Sequence, residues 1–218
     1  GFALVIEKSC AALMLGRGPD AVTVLSSGAP LVPREWYRVT ASYDATNGTA
    51  CLTQTPLRKN TTFDGVASVE RSVGQQAYQM PNTPLLGAAW AKGSEDSRLI
   101  TGGHYNGKLE APRLAANALG EDDMARLSSD ATLLAWDFSH DINNETITDV
   151  SPNNLPARTV NLPTRAVTGH NWSGEVVSWR DRPDQYGAIH FHDDDIADAE
   201  WDTDFSLAVT EDLPSGVY

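Results

Sequence analysis

Short runs in which apolar and polar residues alternate, cut by Gly, Pro and Asn, commit this chain to antiparallel β-structure. From Trp36 to Tyr43, Trp36, Arg38, Thr40 and Ser42 fall on one face and Tyr37, Val39, Ala41 and Tyr43 on the other. Residues 44–48 then supply a turn, with Gly48 free to take a positive φ, and residues 49–55 return as a second strand. Residues 2–6 and 11–15 predict another hairpin, ended by the Gly/Pro cluster at 16–19. Further strands are predicted at 22–25, 85–91, 133–139, 176–179, 188–192 and 205–209, with a polar loop at 92–97. Residues 102–110 read as a turn feeding an edge strand. Residues 121–127 are the one helical candidate, with acids in the first turn where the helix dipole favours them.

Charge narrows the function classes. The 218 residues carry 16 Lys+Arg and 29 Asp+Glu, a net charge of −13. Such a surface repels the phosphates that broad nucleic-acid binding must neutralise. The longest apolar run, 10–15, is far too short to cross a membrane. The imbalance is local: residues 1–130 are near neutral at −1, and residues 131–218 carry −12. Aromatic residues interleave the acids after Asp181, so this stretch reads as folded and not as a solvated tail. The absence of a signal-like start and the low Cys count fit a cytoplasmic bacterial protein.

Cys10 and Cys51 both fall in predicted strands and read as small buried hydrophobes. A bridge between them would need those strands to be neighbours, and two cysteines are too few for a zinc cluster. Sequons at Asn47, Asn60, Asn144 and Asn171 read as chance in an Asn- and Thr-rich chain. Composition shifts near residue 172: Pro-rich connections precede it and acid-rich strands follow. The domain reading is therefore a β-sandwich over 1–172 and the start of a second β unit over 173–218.

The sharpest constellation is His190, His192, Asp193 and Asp195. Residues i and i+2 of a strand share a face, so both imidazoles could reach one metal ion, with carboxylates following in the turn. A solvated edge strand is the plain alternative, and the acid spacing does not match a known calcium loop. For a sugar site, Trp172 beside Asn171 and Tyr105 beside Asn106 combine an aromatic face with a side-chain amide. No Gly-x-Ser-x-Gly elbow or phosphate-cradling glycine loop appears.

Several segments resemble the laminin-G/concanavalin A-like jelly roll. These are the 36–49 hairpin, the strand from Gly103 to Arg113 with Tyr105 in its aromatic place and Leu109-Glu110 in its Ile-Asp place, and the 136–154 strand and loop. A narrower resemblance joins Trp136-Asp-Phe-Ser139, residues 160–169, Trp172, residues 186–195, Trp201 and residues 215–218. In these segments the chain resembles an internal part of the large (beta) subunit of the N,N-dimethylformamidase family. That resemblance implies an amidohydrolase cleaving N,N-dimethylformamide to dimethylamine and formate, assembled with a small subunit and further copies of the large one. It also implies a mononuclear iron held by two Tyr and a Glu in a separate C-terminal domain, to polarise the amide carbonyl and acidify a bound water. None of those ligands matches a residue of this chain. The expected fold is mainly β, an antiparallel jelly-roll sandwich followed by the start of a second β unit. The expected function is a non-catalytic scaffold and assembly surface of such an enzyme, the alternative being a stand-alone glycan- or protein-binding module.

Overall fold

A computed structural model describes residues 1–16, 21–58, 64–75, 85–95, 98–119, 131–193, 200–214 and 216–217. The described secondary structure is β, apart from one short 3-10 turn at Pro183–Tyr186. All strand pairing is antiparallel, as the sequence predicts.

In the N-terminal part, β1 (Phe2–Glu7), β2 (Cys10–Gly16) and β3 (Val22–Pro30) form one three-stranded sheet, and β4 (Tyr37–Asp44), β5 (Thr49–Pro56) and β6 (Ala67–Ser72) form another. The β1–β2 turn is two residues long, Lys8 and Ser9, both at positive φ (50° and 65°), which matches the right-handed twist of the flanking strands. The β4–β5 turn is knotted by Asp44, whose carboxylate accepts from Thr46 N (2.8 Å) and Asn47 Nδ2 (2.8 Å). Gly48 sits at φ 72°, and a Cβ there would lie 2.5 Å from the carbonyl carbon of Gly74. The two sheets face each other through Leu13, Leu15 and Leu25 on one side and Ala50 and Leu52 on the other. Gln54, fully buried, spans the layers by donating to Ala29 O and Gly65 O, both at 3.1 Å.

Next come a hairpin of β7 (Trp90–Glu95) and β8 (Arg98–Gly102), then β9 (Gly107–Glu110). The C-terminal part has a four-stranded sheet of β10 (Arg113–Ala115), β11 (Thr132–Asp137), β12 (Thr146–Asp149) and β13 (Ala157–Arg158). A three-stranded sheet places β15 (Ala188–Phe191) between β14 (Thr164–Val167) and β9, which makes β9 an edge strand as expected. Its strands come from both sides of residue 172. Phe138, Ile147 and Ile189 form the core between these sheets, with Leu109, Trp136 and Phe191 packed against it.

Three strand expectations are corrected. Residues 85–89 form no strand; the strand begins at Trp90, is exposed at every residue and takes in part of the expected 92–97 loop. Residues 176–179 are irregular because the Val176 carbonyl accepts from Trp172 Nε1 (2.8 Å) and Tyr186 Oη (2.7 Å), two side chains in place of a neighbouring strand. Residues 205–209 keep an alternating pattern but pair with no described strand. The 121–127 helix expectation lies outside the described residues. Cys10 and Cys51 are both free and half-buried, on strands of facing sheets, so neither is the fully buried hydrophobe expected.

Two polar residues hold the C-terminal sheets. Arg165 on β14 donates to five carbonyls, those of Phe138, His140, Asp141, Asn144 and Thr146, at 2.7–3.0 Å. Asp149 is buried at the end of β12. Burial pushes its pKa up, but hydrogen bonds from Leu155 N, Ala135 N, Ser151 Oγ and Ser151 N outweigh that and hold it at about 2, below its usual 3.8. The folded state therefore binds this proton more weakly than the unfolded chain does. Its stabilisation is fully present above the unfolded value of 3.8 and is lost as pH falls from there towards 2. Asp149→Asn should cost roughly 2–3 kcal/mol at neutral pH, the scale for leaving buried donors unsatisfied. It should also flatten the acid limb of stability between those pH values, as read by urea denaturation across a pH series.

Candidate functional site

Two of the groups singled out in the sequence meet at the N-terminal end of β9. Asn106 and Asp193 bond reciprocally: Asn106 Nδ2 donates to Asp193 Oδ1 (2.6 Å) and Asp193 N donates to Asn106 Oδ1 (2.8 Å). His104 Nδ1 lies 3.9 Å from the other Asp193 oxygen, and its Nε2 lies 2.9 Å from Thr101 Oγ1. The β15–β9 register puts His190 opposite Lys108 and Phe191 opposite Gly107. His190 and His192 bring their ring centroids to 5.7 Å, tilted at 58°. Asp195 lies outside the described residues. Among the described residues, no three His, Cys, Asp or Glu side chains gather into a group that could hold a metal ion.

The two aromatic–amide pairs are not brought together as one face. Tyr105 is half-buried, its hydroxyl 3.5 Å from Lys108 O, and burial pushes its pKa up. A Cβ at Gly107 would lie 2.6 Å from that hydroxyl, so only glycine lets the ring close over the start of β9. Trp172 ties its indole N–H to Val176 O, and Asn171 Nδ2 donates to Asp184 O at 3.0 Å.

At the other end of β9 lies a constellation that was not predicted. Glu110 Oε2 accepts from both His170 N and His170 Nδ1, each at 2.8 Å, and the Glu110 side chain is only 12% exposed. Because a carboxylate can only accept, this bond assigns a proton to Nδ1. The Trp36 ring meets the imidazole edge-on at 6.5 Å. Gly169 makes room for the carboxylate: a Cβ there would lie 2.7 Å from Glu110 Oε1.

A small open cleft of about 170 Å³ adjoins it, lined by Glu110, Arg113, Trp136, Asp137, Asp184 and Gly187 among others. Its carboxylates are engaged. Asp137 accepts from Ser139 N (2.8 Å) and Ser139 Oγ (2.6 Å) and lies 3.2 Å from His140 Nδ1. Asp184 receives two bonds from Arg182, at 2.9 and 2.7 Å, which lower its pKa. Sequence signals for these roles existed: Asp-x-Ser occurs at 137–139 and again at 149–151, and in both the serine folds back onto the carboxylate.

Fold and site thus define a mainly antiparallel β region whose polar side chains chiefly pin loops to strands. Comparison with known proteins gives that region a family. A family model described as N,N-dimethylformamidase beta subunit-like, C-terminal, matches residues 164–218. Over 237 aligned positions the chain is 32% identical to the N,N-dimethylformamidase beta subunit of Alcaligenes sp and 30% identical to that of Paracoccus aminophilus. Both alignments cover 100% of this chain and 31% of the relative, so the chain spans about a third of the length of these curated relatives. The chain belongs to the N,N-dimethylformamidase beta subunit family.

The Glu110 contact makes a prediction. Glu110→Gln and Gly169→Ala should each speed amide exchange at His170 by at least about tenfold, about 1.4 kcal/mol of local stability. The first weakens the acceptor and the second displaces it. Unchanged exchange in both variants would show that Glu110 does not hold this loop.

Proposed function

We propose that residues 1–218 form the scaffold and assembly surface of a dimethylformamidase-like, iron-dependent amidohydrolase, and that its reacting centre is built from other residues. The observation that supports this best is how the tyrosine hydroxyls are spent. Tyr37 Oη accepts from Val32 N, Tyr43 Oη donates to Gly74 O, and Tyr105 and Tyr186 point theirs at Lys108 O and Val176 O. A tyrosine–tyrosine–glutamate iron site needs two phenolic oxygens converging beside a carboxylate, and these four described tyrosines do not fit one.

In this reading the full-length subunit hydrolyses N,N-dimethylformamide to dimethylamine and formate, in the bacterial cytoplasm, in complex with a small subunit and further copies of itself. In this reading the chain passes near residue 172 towards the C-terminal module; the family match begins before that point, at 164, and the β14-β15-β9 sheet joins strands from both sides of it. Trp201, Phe205, Leu207 and Val209, each 77–88% exposed, offer assembly surface there. No helix among the described residues is long and apolar enough to cross a membrane.

The test is made on the full-length subunit. His190→Ala combined with His192→Ala should leave iron per subunit and amide hydrolysis within about twofold of wild type, because those imidazoles are not ligands in this reading. Loss of the iron, measured by elemental analysis of the purified protein, would move the metal site into this region and overturn the scaffold reading.

A further inference from the structure

β1 closes one side of the N-terminal sandwich and leaves its own outer edge bare. In the facing sheet, ordered β4-β5-β6, β3 lies over β5 and β6 and β2 lies over β5, so β1 falls over β4, the last strand of that layer. Among the described residues no strand pairs with β1 on the side away from β2. The register aligns Phe2 with Leu15 and Leu4 with Leu13, so Phe2, Leu4 and Ile6 share the inward face of their sheet. Leu13 and Leu15 are 3–4% exposed, whereas Phe2, Leu4 and Ile6, at the open flank, are 42–51% exposed.

Hydrogen bonds fix which backbone groups this edge offers. Gly1 N donates to Gly16 O (2.8 Å) and Gly16 N donates to Gly1 O (2.9 Å), which makes Gly1 and Gly16 a hydrogen-bonded pair. Such pairs alternate along an antiparallel ladder. Ala3, Val5 and Glu7 therefore bond to β2, and Phe2, Leu4 and Ile6 turn their N–H and C=O groups outwards. The residues whose apolar side chains are exposed are the same ones whose backbone faces the open side. β1 also lacks the guards of an edge meant to stay open: it has no Lys or Pro, and its register runs without a bulge.

We infer that in the full-length subunit this edge pairs with β1 of a second copy, antiparallel about a two-fold axis at Leu4. In that register Leu4 faces Leu4 of the second copy, and Phe2 faces Ile6 of the second copy. Even-numbered positions meet even-numbered ones, so every outward N–H finds an outward C=O. The large apolar side chains meet on one face, and Ala3 meets Val5 of the second copy on the other. Such an interface is isologous and closes on itself. Charge also suits a second copy. The chain carries −13, so two copies repel, and residues 131–218 hold −12 of that. Within residues 1–30, Glu7 and Asp20 are balanced by Lys8 and Arg17, and residues 2–6 carry no charge. The first sheet is a neutral place where two acidic chains can touch. This inference deepens the reading that the subunit assembles with further copies of itself, and rests on it.

The test uses the full-length large subunit with its small subunit, carrying Leu4→Cys. Across a hydrogen-bonded antiparallel pair the Cα atoms lie about 5.5 Å apart, within disulfide range. Mild oxidation should join most large subunits in covalent pairs. Peptide mass spectrometry should then find position 4 linked to itself, a bond that only two copies can make. In the wild-type complex the Leu4 and Ile6 amides should exchange at least about 100-fold slower than in an unstructured chain. A link from position 4 to any other residue, no link, or fast exchange at both amides would overturn the proposal. Sedimentation of the wild-type complex separates two kinds of failure. If large subunits do not associate, the assembly reading falls with the proposal; if they associate without the position-4 link, the proposal falls alone.

Discussion

One guanidinium gathered by five carbonyls holds the C-terminal half of the structure together. Arg165 reaches from β14 into the connection between β11 and β12 and bonds to Phe138, His140, Asp141, Asn144 and Thr146. That places a strand of the three-stranded sheet and a loop of the four-stranded sheet under one planar group, beside the core of Phe138, Ile147 and Ile189. Burial disfavours the cation and lowers its pKa, and the nearby Asp141 charge pulls it back up. The carbonyls use Arg's rigid fork of donors, which the three rotatable donors of Lys could not span. Because the connection is fixed, Asp137, Ser139 and His140 have defined places beside the cleft.

The same use of polar groups recurs across the fold. Asp149 gathers Ala135, Ser151 and Leu155, and Glu110 gathers the backbone N and the ring Nδ1 of His170. Asp44 and Asn47 close their turn by accepting from the backbone two residues on. Each such bond satisfies a backbone donor that irregular chain would otherwise leave without a partner. A carboxylate committed in this way to two or more donors is a poor ligand or base, since a substrate or metal would have to displace those bonds first. Chemistry-bearing residue types are abundant here, and these carboxylates are engaged by the backbone and side chains around them. Beside the His190–His192 pair, the Asp193 carboxylate accepts from Asn106 Nδ2 and the Asp193 backbone N–H donates back to Asn106 Oδ1.

What was legible in the sequence was what depends on period and on turn chemistry. Alternation from Trp36 to Tyr43 with Gly48 beyond it gave a hairpin that forms with an eight-pair register, and the 2–15 hairpin forms around Lys8 and Ser9. Long-range choices were not legible. Residues 176–179 carry a strand-like composition, but Trp172 and Tyr186 claim the Val176 carbonyl, and nothing local to Val176 signals a donor four or ten residues away. Glu110 stood in the motif of a family strand. Its bond to His170 crosses 60 residues and depends on Gly169, whose role appears only when a Cβ is placed on it. The Asp-x-Ser pairs were readable as local motifs, since the bond spans two residues, but their burial was not.

Two apolar stripes of the same period show how far such a pattern carries and what distinguishes their fates. Residues 201–209 put Trp201, Phe205, Leu207 and Val209 on one side, while Glu200, Asp202 and Asp204 occupy the alternate positions at the start. Residues 2–6 put Phe2, Leu4 and Ile6 on one side with Ala3 and Val5 between them. Period alone predicts a strand for both, though only residues 2–6 form one, and both stripes are exposed among the described residues. The charges differ, and charge decides what an uncovered strand does: carboxylates along its length repel a second strand of the same kind and keep the segment hydrated until its partner arrives. The 201–209 stripe has that protection over its first half, at Glu200, Asp202 and Asp204. Residues 2–6 have none, and their backbone is already paired to β2 on one edge, so they are built as the inside of a sandwich and not as its surface.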